Sequence, residues 1–149
     1  MLQLCGLFST DFFSAASASN EVPTYKTDYM TKDFSMPHCT IEYSRNIEKQ
    51  LSPETLLTAV HEGAVNSGLF DPAVIKIRCA PYDNISVGGN EQGSFLHVMA
   101  RILSGRTAEQ KTTLSHEIYK QLQQLELTVD ALTVEICDID RVSHQPCPD

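Results

Sequence analysis

Three cations in this sequence stand where local pattern could aim them at an anion. Arg106 lies in Ser104-Gly105-Arg106, directly before Thr107 and Gln110, a T-x-x-Q capping box that opens a helix. Its guanidinium and the free amides of a helix start can converge on one guest, and the planar fork suits a carboxylate better than a point charge would. A solvated arginine in a turn is the competing account. Lys76 and Arg78 belong to Ile75-Lys76-Ile77-Arg78-Cys79, whose alternation puts both cations on the strand face opposite the isoleucines.

The other reactive residue types carry weaker signals. His38 and His97 fall at a strand start and in mid-strand, where a histidine is more often a hydrogen-bonded structural residue than an acid. His61, His116 and His144 show no metal-ligand spacing, and the five cysteines (5, 39, 79, 137, 147) include no C-x-x-C pair. Neither a metal nor a cofactor is expected. Gly88-Gly89 and Gly93 lack the strand-to-helix setting of a phosphate or dinucleotide loop, and no Ser-His-Asp arrangement is present. An odd count of unclustered thiols reads as reduced cysteine in a cytoplasmic protein.

The elements that must position these residues begin at Met36. Cys39, Ile41 and Tyr43 alternate with Thr40, Glu42 and Ser44 as in a half-buried strand. Ser52-Pro53 then offers an N-cap and a proline at the first helical position. Leu56, Leu57, Val60 and Ala64 share one helical face before Gly68 supplies the stop. After Asp71-Pro72 comes the strand of Lys76 and Arg78. Val87 to Gly93 is a glycine-rich loop, and Ser94 to Leu103 is a long, sparsely charged strand suited to the sheet centre. The helix opened by the capping box carries Leu114, Ile118, Leu122 and Leu125, and Leu132 to Ile136 alternates as a last strand. Residues 140–149, with Pro146 and Pro148, read as a loose tail.

This order is two β-α-β units of similar length, with crossovers suited to parallel pairing. The expected fold is α/β: a four-stranded sheet with both helices on one face. Apolar positions on both strand faces leave the second face to be buried against other subunits, so an oligomer is expected.

Residues 1–35 read differently. They hold no Lys or Arg before Lys26 and place Asp11 inside what would be the apolar stretch of a secretory signal. Without periodicity and rich in Ser and Thr, they are expected as a disordered extension, or as upstream sequence outside the mature protein. Residues 36–149 are then one domain.

Composition narrows the partners. Eleven Lys plus Arg against nineteen Asp plus Glu give a net charge of −8, which repels nucleic acid. No apolar run approaches the roughly 20 residues needed to cross a bilayer, and no amphipathic stretch has a basic face, so no membrane partner is expected.

Met36-Pro37-His38, the helix ending in Gly68-Leu69-Phe70, the strand Ile75 to Arg78, Ser94-Phe95-Leu96-His97-Val98 and Ser104-Gly105-Arg106-Thr107 occur in one order and spacing. From Met36 to about Ile139 they resemble the 5-carboxymethyl-2-hydroxymuconate isomerases of the tautomerase superfamily. The resemblance implies a cofactor-free homotrimer whose catalytic base is an amino-terminal proline exposed by loss of the initiator methionine. Here that residue is Pro37. It further implies that Arg106 binds a substrate carboxylate. Known relatives carry arginine where Lys76 stands, a departure that leaves Lys76 and Arg78 as level candidates for a second contact. The implied substrate is a small carboxylated 2-hydroxydienoate, isomerised to its 2-oxo form in aromatic compound degradation.

Chemistry sets a condition on Pro37. A free α-amino group has a reference pKa of about 7.7–8.0, whereas an internal proline nitrogen is an amide with no basicity. Pro37 can act as base only if nothing precedes it. With residues 1–36 attached, the alternative is a non-catalytic trimeric binding protein of the same fold; with Pro37 free, the alternative is a tautomerase-superfamily enzyme acting on another enol.

Overall fold

A computed structural model describes residues 36–145; the expectations for residues 1–35, and for the tail beyond 145, lie outside the described residues. The chain runs β1 (His38–Ser44), a short 3-10 turn (Arg45–Lys49), α1 (Pro53–Asn66), a second 3-10 turn (Pro72–Val74), β2 (Lys76–Tyr82), β3 (Phe95–Leu103), α2 (Ala108–Gln123) and β4 (Ala131–Ile139). The sheet order is β2-β1-β3-β4. Within each β-α-β unit the strands are parallel, β1 with β2 and β3 with β4, and the two units meet antiparallel along β1 and β3. The two units read from the sequence are therefore joined through their first strands.

One face of the sheet carries the core. Cys39, Ile41 and Tyr43 of β1 and Leu96, Val98, Ala100 and Ile102 of β3 are buried against Leu56, Val60 and Ala64 of α1 and Leu114, Ile118 and Leu122 of α2. The alternate positions, among them His38, Thr40, His97, Met99, Lys76, Arg78, Arg101, Thr133 and Glu135, form the opposite face and are half-buried or exposed.

Local chemistry explains the element boundaries. The α1 cap is Ser52, as expected, yet its hydroxyl makes no cap bond to the backbone and pairs with the Thr55 hydroxyl at 3.3 Å. Gly68 follows the helix at φ +69°, a conformation in which a side chain would be strained. The Thr107–Gln110 capping box forms in both directions. β2 runs on through Pro81 to Tyr82, beyond the Cys79 end suggested by alternation, because an edge strand tolerates a proline without a ladder donor.

Two segments hold more structure than the sequence suggests. Inside the glycine-rich loop, Val87 and Asn90 pair across Gly88 and Gly89, both at positive φ, the geometry of a tight hairpin turn. Residues 140–144, expected as part of a loose tail, form a turn in which the Asp140 side chain accepts from the Val142 and Ser143 amides. Arg141 Nε donates to the Ser104 carbonyl at 2.6 Å, tying that turn to the segment before Arg106.

Candidate active site at one end of the sheet

Topology gathers the candidate residues at a single end of the sheet. The parallel pairing of β1 and β2 brings the starts of both strands together, and the antiparallel pairing of β1 and β3 brings the end of β3 to the same place. Pro37 precedes β1; its ring is buried, and its carbonyl accepts the Lys76 amide at 3.0 Å. The proposed base and one proposed anion contact are thus on hydrogen-bonded neighbours.

The sheet register extends this pairing into a row. His38 stands opposite Lys76 on one side and opposite Arg101 on the other, so the three side chains project from the same face. Arg78 lies one row further along that face, opposite Thr40. The electrostatics agree with the register. Burial first, then the charges of Lys76, Arg78, His144 and Arg101, hold the His38 pKa below its ordinary value. Lys76 and Arg78, level candidates in the sequence, therefore both face the space beside His38.

Arg106 reaches the same end from the β3–α2 connection. Its guanidinium lies over the Phe70 ring, 5.8 Å from the centroid, and donates to the Leu69 carbonyl at 3.4 Å. Leu69 and Phe70 lead into β2, so these contacts anchor Arg106 to the segment that delivers Lys76. The helix start beside it is partly occupied. Thr107 and Gln110 satisfy each other's amides, and the backbone amide of Glu109 together with the Thr107 hydroxyl hold the Glu109 carboxyl below the usual carboxylate range. The idea that free amides at this helix start join the guanidinium on one anion loses support, because the Thr107, Glu109 and Gln110 amides have partners within the helix start itself.

His97 is placed away from this end. Its Nδ1 meets the Thr133 hydroxyl at 2.7 Å and its Nε2 lies 3.6 Å from Glu135 Oε2, the structural role expected of a mid-strand histidine. Cys39 is fully buried, and burial pushes its thiol up to about 11, an inert packing group. Among the described residues no cluster of His, Cys, Asp or Glu could hold a metal ion, and no helix is long and apolar enough to cross a membrane.

The sequence reading missed Arg101 and the approach of His144. Alternation along β3 already puts Arg101 on the face opposite Val98 and Ala100, but its place beside His38 depends on the β1–β3 register. Two strands some fifty residues apart in the chain do not announce that register.

Comparison with known proteins sets this arrangement in context. Similar solved structures include a 5-carboxymethyl-2-hydroxymuconate isomerase from Deinococcus radiodurans R1, with a TM-score of 0.65 and 21% identity over 77% of this chain and 91% of that one. A 5-carboxymethyl-2-hydroxymuconate delta-isomerase gives a TM-score of 0.66 at 17% identity, covering 76% of this chain and 89% of that one. A fused 4-OT wild type symmetric trimer gives 0.60 at 18% identity, with 72% and 89% covered. These likenesses establish a tautomerase-type fold. No curated protein matches by sequence. The sequence pattern of 5-carboxymethyl-2-hydroxymuconate isomerase matches residues 37–142, most of the chain and every element from β1 to β4, and this protein therefore belongs to the 5-carboxymethyl-2-hydroxymuconate isomerase family.

Proposed function

We propose that this protein is a cofactor-free isomerase that converts a carboxylated 2-hydroxydienoate to its conjugated 2-oxo isomer, with Pro37 as general base. The observation that carries the reading is the family match beginning at Pro37, the residue beside which the sheet gathers its cations. Once Pro37 is the first residue, its nitrogen is a secondary amine. Burial, and the positive charges that with burial lower His38, would then also disfavour its protonated form. Such a base suits proton transfer in the cytoplasm, the compartment this reading assigns.

In the proposed reaction the Pro37 nitrogen takes the 2-hydroxyl proton as the C–O bond becomes a carbonyl. The electron pair moves along the diene, and the ammonium returns a proton to the carbon at its far end. Arg106 and Lys76 or Arg78 hold the carboxylates and stabilise the spread dienolate charge. The substrate would come from ring cleavage in aromatic compound degradation. A homotrimer is part of the proposal: the half-buried second sheet face, with Thr40 and Met99 near its centre, needs cover, and a similar fused 4-OT structure is a symmetric trimer.

The test compares the 149-residue chain with one that begins at Pro37. The shorter chain should isomerise 2-hydroxydienoates at least about a hundredfold faster, the lower scale for gaining a general base. Equal rates would eliminate the proline mechanism. If neither chain turns over any enol yet both form trimers, the protein is the non-catalytic binding form of the fold.

A further inference from the structure

The turn after β4 comes back to the connection that delivers Arg106. β3 and β4 end together, with the Ser104 amide donating to the Ile139 carbonyl at 3.0 Å, and this leaves residues 140–144 beside Ser104-Gly105-Arg106. Asp140 shapes the turn: its carboxylate accepts from the Val142 and Ser143 amides, both at 3.2 Å, and its carbonyl accepts from the His144 amide at 3.1 Å. Arg141 is aimed by that turn. Its Nε donates to the Ser104 carbonyl at 2.6 Å, so Ser104 is held on its amide side by the β4 backbone and on its carbonyl side by a side chain.

Gly105, the next residue, is where this connection can swing. It sits at φ +112°, and a residue without Cβ restricts its own backbone least. A Cβ placed there would lie 3.8 Å from Arg141 Nε and 3.9 Å from Arg141 Nη2, so the guanidinium runs along the Gly105 backbone at contact distance. On the far side, Thr107 is fixed by its capping box. The Arg106 guanidinium meets the Leu69 carbonyl at 3.4 Å, long for a hydrogen bond, and lies 5.8 Å from the Phe70 centroid. These contacts locate its tip but not the backbone that carries it. Arginine is among the costliest side chains to immobilise, and a carbonyl in an exposed turn can bond to water instead. Arg141 is therefore a poor device for stability alone, and what it adds is a fixed path from Ser104 to Arg106.

We propose that Arg141 is a positioning residue: by holding the Ser104 carbonyl beside the Gly105 hinge, it fixes where the Arg106 guanidinium meets a substrate carboxylate. This rests on the reading of Arg106 as a carboxylate contact and adds the residue that keeps it in place. Arg141 acts here through its hydrogen bond, not through its charge.

The test uses the full 149-residue chain and sorbate, a conjugated dienoate that lacks the 2-hydroxyl and so cannot tautomerise. Arg141 is exposed, so replacing it leaves the core untouched. Arg141→Leu should weaken sorbate binding by about three- to tenfold, the scale of one hydrogen bond. Arg141→Gln should retain most of the affinity, because the glutamine amide nitrogen stands as many bonds from Cα as arginine Nε and donates without charge. If Arg141 acts through Arg106, then in an Arg106→Gln background Arg141→Leu should change binding by less than about twofold. A second readout needs no ligand. The NMR order parameter of the Arg106 Nε–H bond should be about 0.8 in wild type and in Arg141→Gln, and below about 0.6 in Arg141→Leu.

An Arg106 side chain as ordered in Arg141→Leu as in wild type overturns the proposal. So does a loss of affinity as large in the Arg106→Gln background as without it, which would make the role structural. Affinity restored by Arg141→Lys but not by Arg141→Gln would overturn it in favour of charge. Should sorbate bind no chain, the reading of Arg106 as a carboxylate contact falls, and the order parameter alone decides whether Arg141 positions it.

Discussion

The Lys76 amide donates to the Pro37 carbonyl at 3.0 Å, so the start of β2 holds the start of β1 through backbone alone. The Lys76 side chain is free to serve another purpose, because replacing it leaves that hydrogen bond in place. Lys76→Ala should therefore raise KM for a carboxylated dienol by up to about tenfold with a smaller fall in kcat, the loss of one charged contact. Lys76→Arg should match or improve on wild type. Steady-state kinetics on the chain beginning at Pro37 decide this, and a fall in kcat with unchanged KM would assign Lys76 to the chemistry instead.

Arg106 is the more demanding case, since it also holds the fold together locally. Its stacking on Phe70 and its bond to Leu69 fix the segment before β2. Arg106→Ala should lower kcat/KM by on the order of ten- to a hundredfold, through both KM and kcat, and should cost about 0.5–1 kcal/mol of stability from the lost cation–π contact. Arg106→Lys should recover part of the activity, keeping the charge without the fork. Activity that survives Arg106→Ala while Lys76→Ala abolishes turnover would move the anion site wholly onto the second strand.

Much of this was legible from local pattern. The capping box at Thr107, the stop at Gly68 and the alternation of β1 and β4 are set by residues within a few positions of each other, and each appears where its chemistry demands. The site was legible only in part. Lys76, Arg78 and Arg106 were candidates by type and Pro37 only through the family resemblance, but their common end of the sheet follows from a parallel and an antiparallel pairing across long stretches of chain. Arg101 depends wholly on that register. The engaged amides of the second helix start were foreshadowed by the same T-x-x-Q that suggested an anion site, because a complete capping box consumes the donors it advertises.

His38 gives the protein a defined acid sensitivity. Its folded pKa lies below the ordinary 6.5, through burial and through Lys76, Arg78, His144 and Arg101. In the interval between the two values the unfolded chain binds more protons at this residue than the folded one, so stability falls as pH drops below about 6.5 and the loss is complete below the folded pKa. Thermal melts from pH 7.5 to pH 5 should show a smaller decline for His38→Gln than for wild type, with the two converging above pH 7. Identical slopes would show that neither burial nor the cations at this end act on His38.

The two helices meet at Gly63, and no larger residue fits there. A methyl group on Gly63 would lie 2.5 Å from the Ile118 Cα and 2.9 Å from both the Glu117 carbonyl oxygen and the Ile118 nitrogen, all backbone atoms that cannot rotate away. Alanine in mid-helix ordinarily gains up to about 1 kcal/mol over glycine. Here the overlap dominates, since separating α1 from α2 would disturb Val60, Ala64, Leu114 and Ile118 together. Gly63→Ala should therefore destabilise by about 1–3 kcal/mol and lower Tm by on the order of 5–10 °C. Gly68→Ala is the comparison. Nothing lies within 4 Å of its added Cβ, so its cost comes only from φ +69° and should be about 1–2 kcal/mol, without the repacking that Gly63→Ala forces. Calorimetric melts accompanied by near-ultraviolet dichroism separate the two, because only Gly63→Ala should change the environment of the buried Tyr43 in the shared core. A Gly63→Ala chain as stable as wild type would mean that the helices can move apart without cost, and the close contact at Ile118 would then not be what sets their spacing.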